Sequence, residues 1–222
     1  MQKEEPEAGS GSSPRSRGRP RAFDREAALA AAMRLFWAKG YCATSISDLT
    51  EAMGIGSPSL YAAFGSKEAL YAEALAHYRE THEAIVWDRF ARAATATEAV
   101  EAFLHDSAAG LSRTPNGCMV TLSAVGAEGQ AALGALVASA RNVTLERLVA
   151  RFEQGVASGE IAQTVDVHAL ARFVQAVQNG MSILARDGAS AAELTAVAET
   201  AMLAWHARIG RTMNNDGKKQ PI

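Results

Sequence analysis

The stretch ISDLTEAMGIGSPSLYAAFGSKEAL, residues 46–70, interrupts a helix-forming sequence with three glycines and a proline. Hydroxyl side chains that can cap a helix stand beside the breaks. Pro58 occupies a first-turn position, where its missing N–H costs nothing. The pattern predicts two helices joined by a tight turn at 54–56, which is typical of a helix-turn-helix.

Similar signals place helices on both sides of this turn. Gly40 is a stop for the helix before it, Ser45 and Asp48 have the spacing of a capping box, and Ser57 is expected to cap the third helix. The predicted bounds are 24–39, 45–53, 58–64 and a long fourth helix that begins near residue 67.

The rest of the chain also has helical patterns, since alanine is abundant, apolar residues recur three and four apart, and strand-like alternation is absent. The predicted helices span 97–112, 118–127, 130–158, 166–186 and 190–209. We therefore expect an all-α protein with a three-helix N-terminal domain followed by a larger helical domain. The expected divisions are a tail with a basic arm at 1–22, a helix-turn-helix domain at 23–68, a helical domain at 69–210 and a second tail at 211–222.

Composition limits the class of protein. The chain has 222 residues, of which 48% are hydrophobic, and its formal net charge is −2. Such a chain can bury a substantial core. It lacks an apolar run long enough for a membrane span and a recognisable signal peptide, and its two cysteines make no disulfide framework. We expect a soluble cytoplasmic protein without a membrane partner, metal or cofactor.

An arginine-rich segment, PRSRGRPRAFDRE, precedes the first helix at 14–26. Arginines mixed with glycine and proline cannot pack a core, so a flexible arm is expected. Arg17, Arg19 and Arg21 would then follow a phosphate backbone or enter a minor groove. A solvated tail is the alternative for this segment taken alone.

A helix-turn-helix inserts its second helix into the major groove of DNA with the N-terminal end first. Short side chains there allow close approach, and hydroxyls reach base edges or phosphates. The candidate contacts besides the arm are Thr44, Ser45, Ser57, Pro58, Ser59, Tyr61 and Lys67. Each residue alone also has a structural explanation as a cap, a core aromatic or a solvated charge.

The run GYCATSISDLTEAMGIGSPSLYAAFGSKEALYAEAL, residues 40–75, resembles the DNA-binding domain of the tetracycline-repressor (TetR) family. The resemblance covers about 23–75 and implies a helical regulatory domain that forms a homodimer and binds a small effector. It also implies DNA contacts from Thr44, Ser45, Ser57, Ser59, Tyr61 and Lys67. The pair Ala62-Ala63 departs from the family, where larger residues are common before the phenylalanine.

The larger domain has candidate residues for an effector cavity between the fourth helix and those that follow. Aromatic and polarisable side chains suit an apolar or aromatic ligand, although each is also an ordinary core residue. The candidates are His82, Trp87, Phe90, Phe103, His105, Cys118, Met119, Leu122 and Phe152.

Cys118 follows Pro115-Asn116-Gly117 and is expected at a helix N-terminus, where exposed amides favour a reactive thiolate. This suggests a sensor of electrophiles or oxidants. The alternative is a small buried hydrophobic residue, as free cysteines often are.

The last two predicted helices are apolar on more than one side. We expect them to form a four-helix dimer interface, two helices from each subunit, which would favour a palindromic site on double-stranded DNA. The candidate interface residues are Phe173, Val177, Met181, Ala201, Ala204 and Trp205.

These patterns together predict a ligand-responsive homodimeric regulator of transcription, a repressor released from a palindromic operator by a small molecule. One alternative is a helical protein-interaction module with a non-functional helix-turn-helix, and another is a regulator of the same kind controlled through a thiol. The chain has no G-x-S-x-G, H-E-x-x-H or phosphate-loop motif, so an enzyme is not expected.

Overall fold

The computed structural model describes residues 24–114 and 116–210, and within them the chain forms ten α-helices and one π-helical turn but no strand. The helices are α1 Arg25–Lys39, α2 Ile46–Met53, α3 Ser57–Phe64, α4 Lys67–Tyr78, α5 Ala84–Arg92, α6 Ala96–Ser112, α7 Met119–Leu122, α8 Ala131–Ala157, α9 Val167–Arg186 and α10 Ala191–Gly210. The all-α prediction is confirmed. The predicted arm and both tails lie outside the described residues. None of the helices in these ranges is both long and apolar enough to cross a membrane.

Local capping explains where α2 and α3 begin. The Ser45 hydroxyl accepts from the Asp48 amide at 3.0 Å, and the Asp48 carboxylate accepts from the Ser45 amide at 2.9 Å, which is the predicted capping box. The start of α3 differs from the prediction. Gly56 is its N-cap and Ser57 is its first residue, because the extended backbone continues only to Gly56.

The turn between α2 and α3 depends on Gly54, which has φ +67 and ψ +31. This left-handed conformation is favourable for glycine and strained for most other residues. The turn brings α3 back across α2, so that Leu49 and Leu60 are both fully buried.

A π-helical turn, Arg79–Glu83, joins α4 to α5 and makes one uninterrupted helical segment. Such turns break the regular hydrogen-bond ladder and often occur at functional sites. α4 packs on α1, and α5 packs on α6. One continuous segment therefore connects the helix-turn-helix to the larger domain.

Two hydrophobic clusters hold the fold together. The first contains residues of α1 to α4 and continues into α7 and the start of α8, where Met119 and Val137 are buried. The second lies among α5, α6, α8, α9 and α10, with Phe152 and Trp205 in contact at 4.9 Å between ring centroids. The first cluster fixes the helix-turn-helix to the larger domain, because burial of its apolar side chains requires both.

The segment after α6 differs from the predicted helix at 118–127. α7 ends at Leu122, because Ser123 has the extended angles φ −69 and ψ 122. The following turn presses Gly126 against Gly134 of α8, where a Cβ added to Gly134 would lie 2.5 Å from the Gly126 Cα. Only glycine lets the two backbones approach this closely.

Candidate nucleic-acid interface and ligand cavity

The short helix α3 has one buried side and one exposed side. Leu60 and Phe64 are 0% and 4% exposed and fix the helix to the core. Residues 57–59 are exposed, and Tyr61 is 47% exposed. The N-terminal end of α3 therefore offers two hydroxyls, a proline and a phenol to the outside, as a groove-reading helix requires.

Arg25 fastens α3 to its neighbours. Its guanidinium lies 4.4 Å from the centre of the Phe64 ring, donates to the carbonyl of Ala63 at 3.3 Å and pairs with Glu73 of α4 at 2.7 Å. One side chain of α1 thus contacts the C-terminal end of α3 and the body of α4. The N-terminal end of α3 is left uncovered.

Lys67 stands at the start of α4 with its ammonium 4.2 Å from the centre of the Tyr41 ring. The Tyr41 hydroxyl donates to Glu68 at 2.7 Å. Burial and this acceptor raise the pKa of Tyr41, and accepting the bond lowers the pKa of Glu68. Tyr41 is therefore a neutral, fixed platform for Lys67, whose charge is free of an ion pair within the described residues.

The prediction that Thr44 contacts DNA needs correction. Its side chain is fully buried, and its hydroxyl donates to the carbonyl of Gly40 at 2.6 Å. Thr44 closes the turn between α1 and α2. Ser45 is exposed beside it and keeps a hydroxyl proton while it caps α2. Arg17, Arg19 and Arg21, predicted to contact DNA, lie outside the described residues.

A cavity of about 630 Å³ opens in the larger domain, between the π-helical turn and α5 on one side and α6, α8 and α9 on the other. This volume is within the range of sites for drug-sized ligands. Its apolar wall is largely aromatic: Trp37, Tyr78, His82, Trp87 and Phe103. Burial lowers the pKa of His82, so its ring is neutral at pH 7.

Four of the nine predicted effector residues line this cavity, namely His82, Trp87, Phe103 and Cys118. The other five do not, for reasons that the packing makes plain. Phe152 is fully buried against Trp205, Met119 belongs to the cluster under the helix-turn-helix, and Phe90 faces a smaller surface depression. His105 and Leu122 are half-buried away from the wall.

The cavity also carries polar groups on α6. Asp106 uses one carboxylate oxygen to accept from Arg89 at 2.8 Å, and its Oδ2 is buried without a partner. The hydroxyl of Ser107, a residue only 2% exposed, is likewise unpartnered. Unsatisfied polar atoms are uncommon in folded proteins and call for an explanation.

A positive charge faces the cavity from α8. Arg141 donates to the carbonyls of Val120, Thr121 and Ser123 at 3.1, 2.9 and 2.6 Å. No carboxylate within the described residues pairs with it. Its guanidinium holds the end of α7 and the chain that follows it.

The helix-turn-helix itself contributes to the cavity wall. Trp37 of α1 stacks edge-on against Tyr78 and His82, with ring centroids 4.9 and 5.0 Å away. The carbonyl of the same residue accepts from Arg186 of α9 at 3.1 Å. At the other side of the junction, the hydroxyls of Tyr71 and Ser123 are 2.8 Å apart. A ligand in the cavity would thus touch α1, a helix of the N-terminal unit.

Cys118 is the N-cap of α7, so it lies at a helix N-terminus as predicted, but this helix has only four residues. The side chain is half-buried on the cavity wall. The other cysteine, Cys42, is exposed, and a hydrogen bond with Glu128 raises its pKa.

Three predicted interface residues are core residues of the monomer. Met181 and Trp205 are fully buried and Ala201 is 5% exposed, so they cannot touch a second chain as the helices are packed here. Ala204 is exposed, Phe173 is partly exposed and Val177 is half-buried. The large exposed apolar side chains on α9 and α10 are Phe173, Ile183, Leu184 and Leu203.

Metal-ligating side chains do not converge in the described part of the chain, since no three His, Cys, Asp or Glu residues are grouped closely enough to hold an ion.

Sequence reasoning missed Trp37, Asp106, Ser107 and Arg141 as cavity residues. Trp37 has the appearance of one more apolar residue at the end of α1, and only the fold brings it against Gly117, 80 residues away. Asp106 and Ser107 interrupt the apolar pattern of their helix, and this interruption was the sequence signal that could have identified them. Two adjacent polar residues toward the buried side of a helix indicate a polar function or a hydrogen bond.

Comparison with known proteins is consistent with this arrangement. The family model described as bacterial regulatory proteins, tetR family, matches residues 28–74. The chain is 38% identical over 203 residues to the HTH-type transcriptional repressor ComR of Escherichia coli K12, covering 86% of this chain and 93% of that protein. It is 33% identical over 187 residues to the repressor BdcR of the same strain, covering 83% and 90%.

A solved structure resembles the whole fold. A cysteine mutant of the TetR family transcriptional regulator CifR, complexed with 26-base-pair double-strand operator DNA, is 41% identical and superposes with a TM-score of 0.79. The match covers 85% of this chain and 100% of that one.

Proposed function

Because this chain belongs to the TetR family of bacterial transcriptional regulators, we propose that it is a homodimeric repressor that binds a palindromic operator and releases it when a small molecule occupies the cavity. The observation that carries the proposal is the uncovered N-terminal end of α3, where residues 57–59 and Tyr61 stand exposed above a buried Leu60. ComR and BdcR are transcriptional repressors, and the CifR cysteine mutant was solved in complex with operator DNA.

The proposed DNA contacts come from three places. Ser57, Pro58, Ser59 and Tyr61 would enter the major groove, while Ser45 and Lys67 would bind phosphates beside helix N-termini. The arginine arm would extend the contact along the backbone. In this proposal, the domain at 23–68 binds DNA, and the domain at 69–210 binds the ligand and forms the dimer. Action on DNA implies a cytoplasmic location.

The dimer would form through α9 and α10. Phe173 and Leu203 are 37% and 71% exposed, which is unfavourable for large apolar residues unless a partner covers them. Two-fold symmetry would place two α3 helices about 34–36 Å apart, one turn of DNA. The dimer therefore explains both the apolar surface and the expected palindrome.

Release would follow from the contact of Trp37 with the cavity. Its ring is part of the wall, and its backbone belongs to α1. A ligand that displaces this ring biases the position of the DNA-binding helices, which is the coupling of two sites through one structural element.

Selection of bound sequences from a random DNA pool, at a stated salt concentration, tests the proposal. A palindromic sequence whose affinity falls steeply with salt is the expected result. A folded dimer, refolded free of ligand, that enriches no sequence would instead favour a protein-interaction module.

Control through a thiol is a second candidate mode, favoured by the position of Cys118 on the cavity wall. Alkylation with iodoacetamide should then release operator DNA from the native protein and from Cys42→Ser, but not from Cys118→Ser. Release of all three alike would rule this mode out.

A further inference from the structure

We propose that the cavity binds an uncharged molecule with an aromatic body and a hydroxyl group, and that this hydroxyl is held between Asp106 and Ser107. The inference rests on the proposed ligand-responsive function and specifies the chemistry of its ligand. The observation behind it is the pair of buried, unpartnered oxygen atoms, Asp106 Oδ2 and Ser107 Oγ, on two adjacent residues that both line the cavity.

The two atoms have different requirements. A carboxylate oxygen accepts hydrogen bonds and cannot donate, whereas a serine hydroxyl does both. Asp106 is already held by Arg89 through Oδ1, so its second oxygen is fixed in position and lacks a donor. The missing partner of Asp106 is therefore a donor. Ser107 can donate to an acceptor on the same molecule.

Only some ligand groups meet both requirements. A hydroxyl donates to Asp106 and accepts from Ser107. An ammonium donates but cannot accept, and a carboxylate accepts but cannot donate. A hydrocarbon leaves both atoms unpaired, and leaving a buried polar atom without a partner is expensive. The pair therefore selects a group that both donates and accepts, which an alcohol or phenol does through a single atom.

The charges around the cavity agree with an uncharged ligand. Four arginines and three carboxylates are among the described lining residues, which gives a net charge of +1 with His82 neutral. The charge of Asp106 is already compensated by Arg89, so a cation gains little there. Arg113 and Arg141 are the two lining arginines without an ion pair among the described residues. Arg113 is exposed, so solvent screens its charge, and the guanidinium of Arg141 is occupied by three carbonyls.

The aromatic part of the ligand is inferred from the rings that line the cavity. Trp87 and Phe103 lie 4.9 Å apart, and Trp37 contacts His82 across 5.0 Å between ring centroids. These rings offer flat apolar faces and edges, against which another ring packs favourably. The volume of about 630 Å³ accommodates a bicyclic molecule.

Calorimetry with four probes of one shape tests the proposal: naphthalen-2-ylmethanol, 2-methylnaphthalene, naphthalen-2-ylmethylamine and 2-naphthoate. The alcohol should bind the full chain about tenfold more tightly than each of the others, which corresponds to satisfying one buried acceptor. In Asp106→Leu, the affinity for the alcohol should fall to the affinity for the hydrocarbon. Ser107→Ala is a milder change and should weaken binding of the alcohol severalfold.

Glu101→Leu is the matched control, because Glu101 is an exposed carboxylate on the same helix and does not line the cavity. It should leave all four affinities unchanged. Tightest binding of the amine or of 2-naphthoate, equal binding of all probes, or no binding would overturn the proposal. So would an advantage of the alcohol that survives in both Asp106→Leu and Ser107→Ala.

Operator selection on the same preparations separates the two claims. A protein that binds a palindrome but does not prefer the alcohol keeps the proposed function and refutes the ligand class. A protein that prefers the alcohol but selects no DNA refutes the proposed function alone.

Discussion

The indole nitrogen of Trp37 donates a hydrogen bond to the carbonyl oxygen of Gly117 across 2.9 Å. This bond joins α1 to the segment before α7, and both residues line the cavity. Gly117 is closely packed against α9, since a Cβ there would lie 2.5 Å from the carbonyl oxygen of Ser182. The cavity wall at Gly117 is therefore hydrogen-bonded directly to α1.

Replacing Trp37 with phenylalanine removes the donor and keeps an aromatic ring. We expect the free energy of unfolding to fall by about 1–2 kcal/mol, because the buried Gly117 carbonyl loses its partner. We also expect operator affinity to fall severalfold, because α1 is held less firmly. Urea denaturation and DNA titration measure the two effects.

Trp205→Phe is the control for this change. Its indole nitrogen also loses a bond, to the Thr97 hydroxyl at 3.0 Å, but far from α1. It should lose comparable stability and keep its operator affinity. If both variants weaken DNA binding equally, the effect is general and the bond of Trp37 has no special role.

Tyr61→Phe should weaken operator binding about fivefold, because the phenol loses a hydrogen bond to DNA worth roughly 1 kcal/mol. Its thermal midpoint should not move, since the side chain is 47% exposed. Tyr41→Phe should show the opposite pattern, with lower stability and nearly unchanged DNA affinity, because its buried hydroxyl bonds Glu68. A Tyr61→Phe protein with native affinity would remove Tyr61 from the proposed contacts.

Glu160 predicts a pH dependence of stability. Burial alone would raise its pKa, but bonds from the Thr97 hydroxyl and amide and from the Ala96 amide, at 2.7, 2.8 and 2.6 Å, outweigh burial and lower it. A carboxyl group whose pKa is lower when folded stabilises the protein above its unfolded pKa. This contribution is lost as the pH falls through the folded pKa.

Glu160→Gln should therefore reduce the free energy of unfolding by about 1 kcal/mol at pH 7, and the deficit should shrink as the pH falls below about 4. Glu153→Gln, an exposed carboxylate on α8, should show neither effect. Urea denaturation at several pH values provides the comparison. A deficit that stays constant down to pH 3 would contradict the role given to the ionised carboxylate.

Leu203→Glu should disrupt the proposed dimer, because Leu203 is 71% exposed on α10 and a charge there would be buried against the second chain. Sedimentation should show monomers at concentrations where the native protein is dimeric, with at least tenfold weaker operator binding. Leu136→Glu, at a 40% exposed position on α8, should remain a dimer. Dissociation of the Leu136 variant alone would move the interface to α8.

The helices could be predicted from sequence because their signals are local. The signals from Ser45 with Asp48, from the turn at 54–56 and from the four-residue spacing of Leu60 and Phe64 in α3 all act within a few residues. The exposure of Ser59 and Tyr61 followed from the same periodicity. Thr44 did not, since its burial depends on a bond to Gly40 that no spacing rule anticipates.

The cavity lining depends on contacts between distant parts of the chain, so it was predicted less well. The burial of Met181 and Trp205 within the monomer depends on such contacts too. The sequence shows that Phe152 and Trp205 are aromatic but not whether they contact a ligand, a partner chain or each other. Only the packed structure shows that they contact each other. Asp106 was overlooked because its importance lies in an oxygen without a partner, which no residue type reveals by itself.

The π-helical turn at Arg79–Glu83 sets the rotational phase between α4 and α5. Each residue in an α-helix advances the direction of its side chain by about 100°, so the wider turn rotates α5 relative to where a regular helix would place it. Deleting one residue there would keep the rod continuous but turn Trp87 away from the cavity. The length of this turn therefore determines how far α5 is rotated about the helix axis relative to α4. An insertion or deletion in the turn would change this rotation without altering the sequence of α4 or α5.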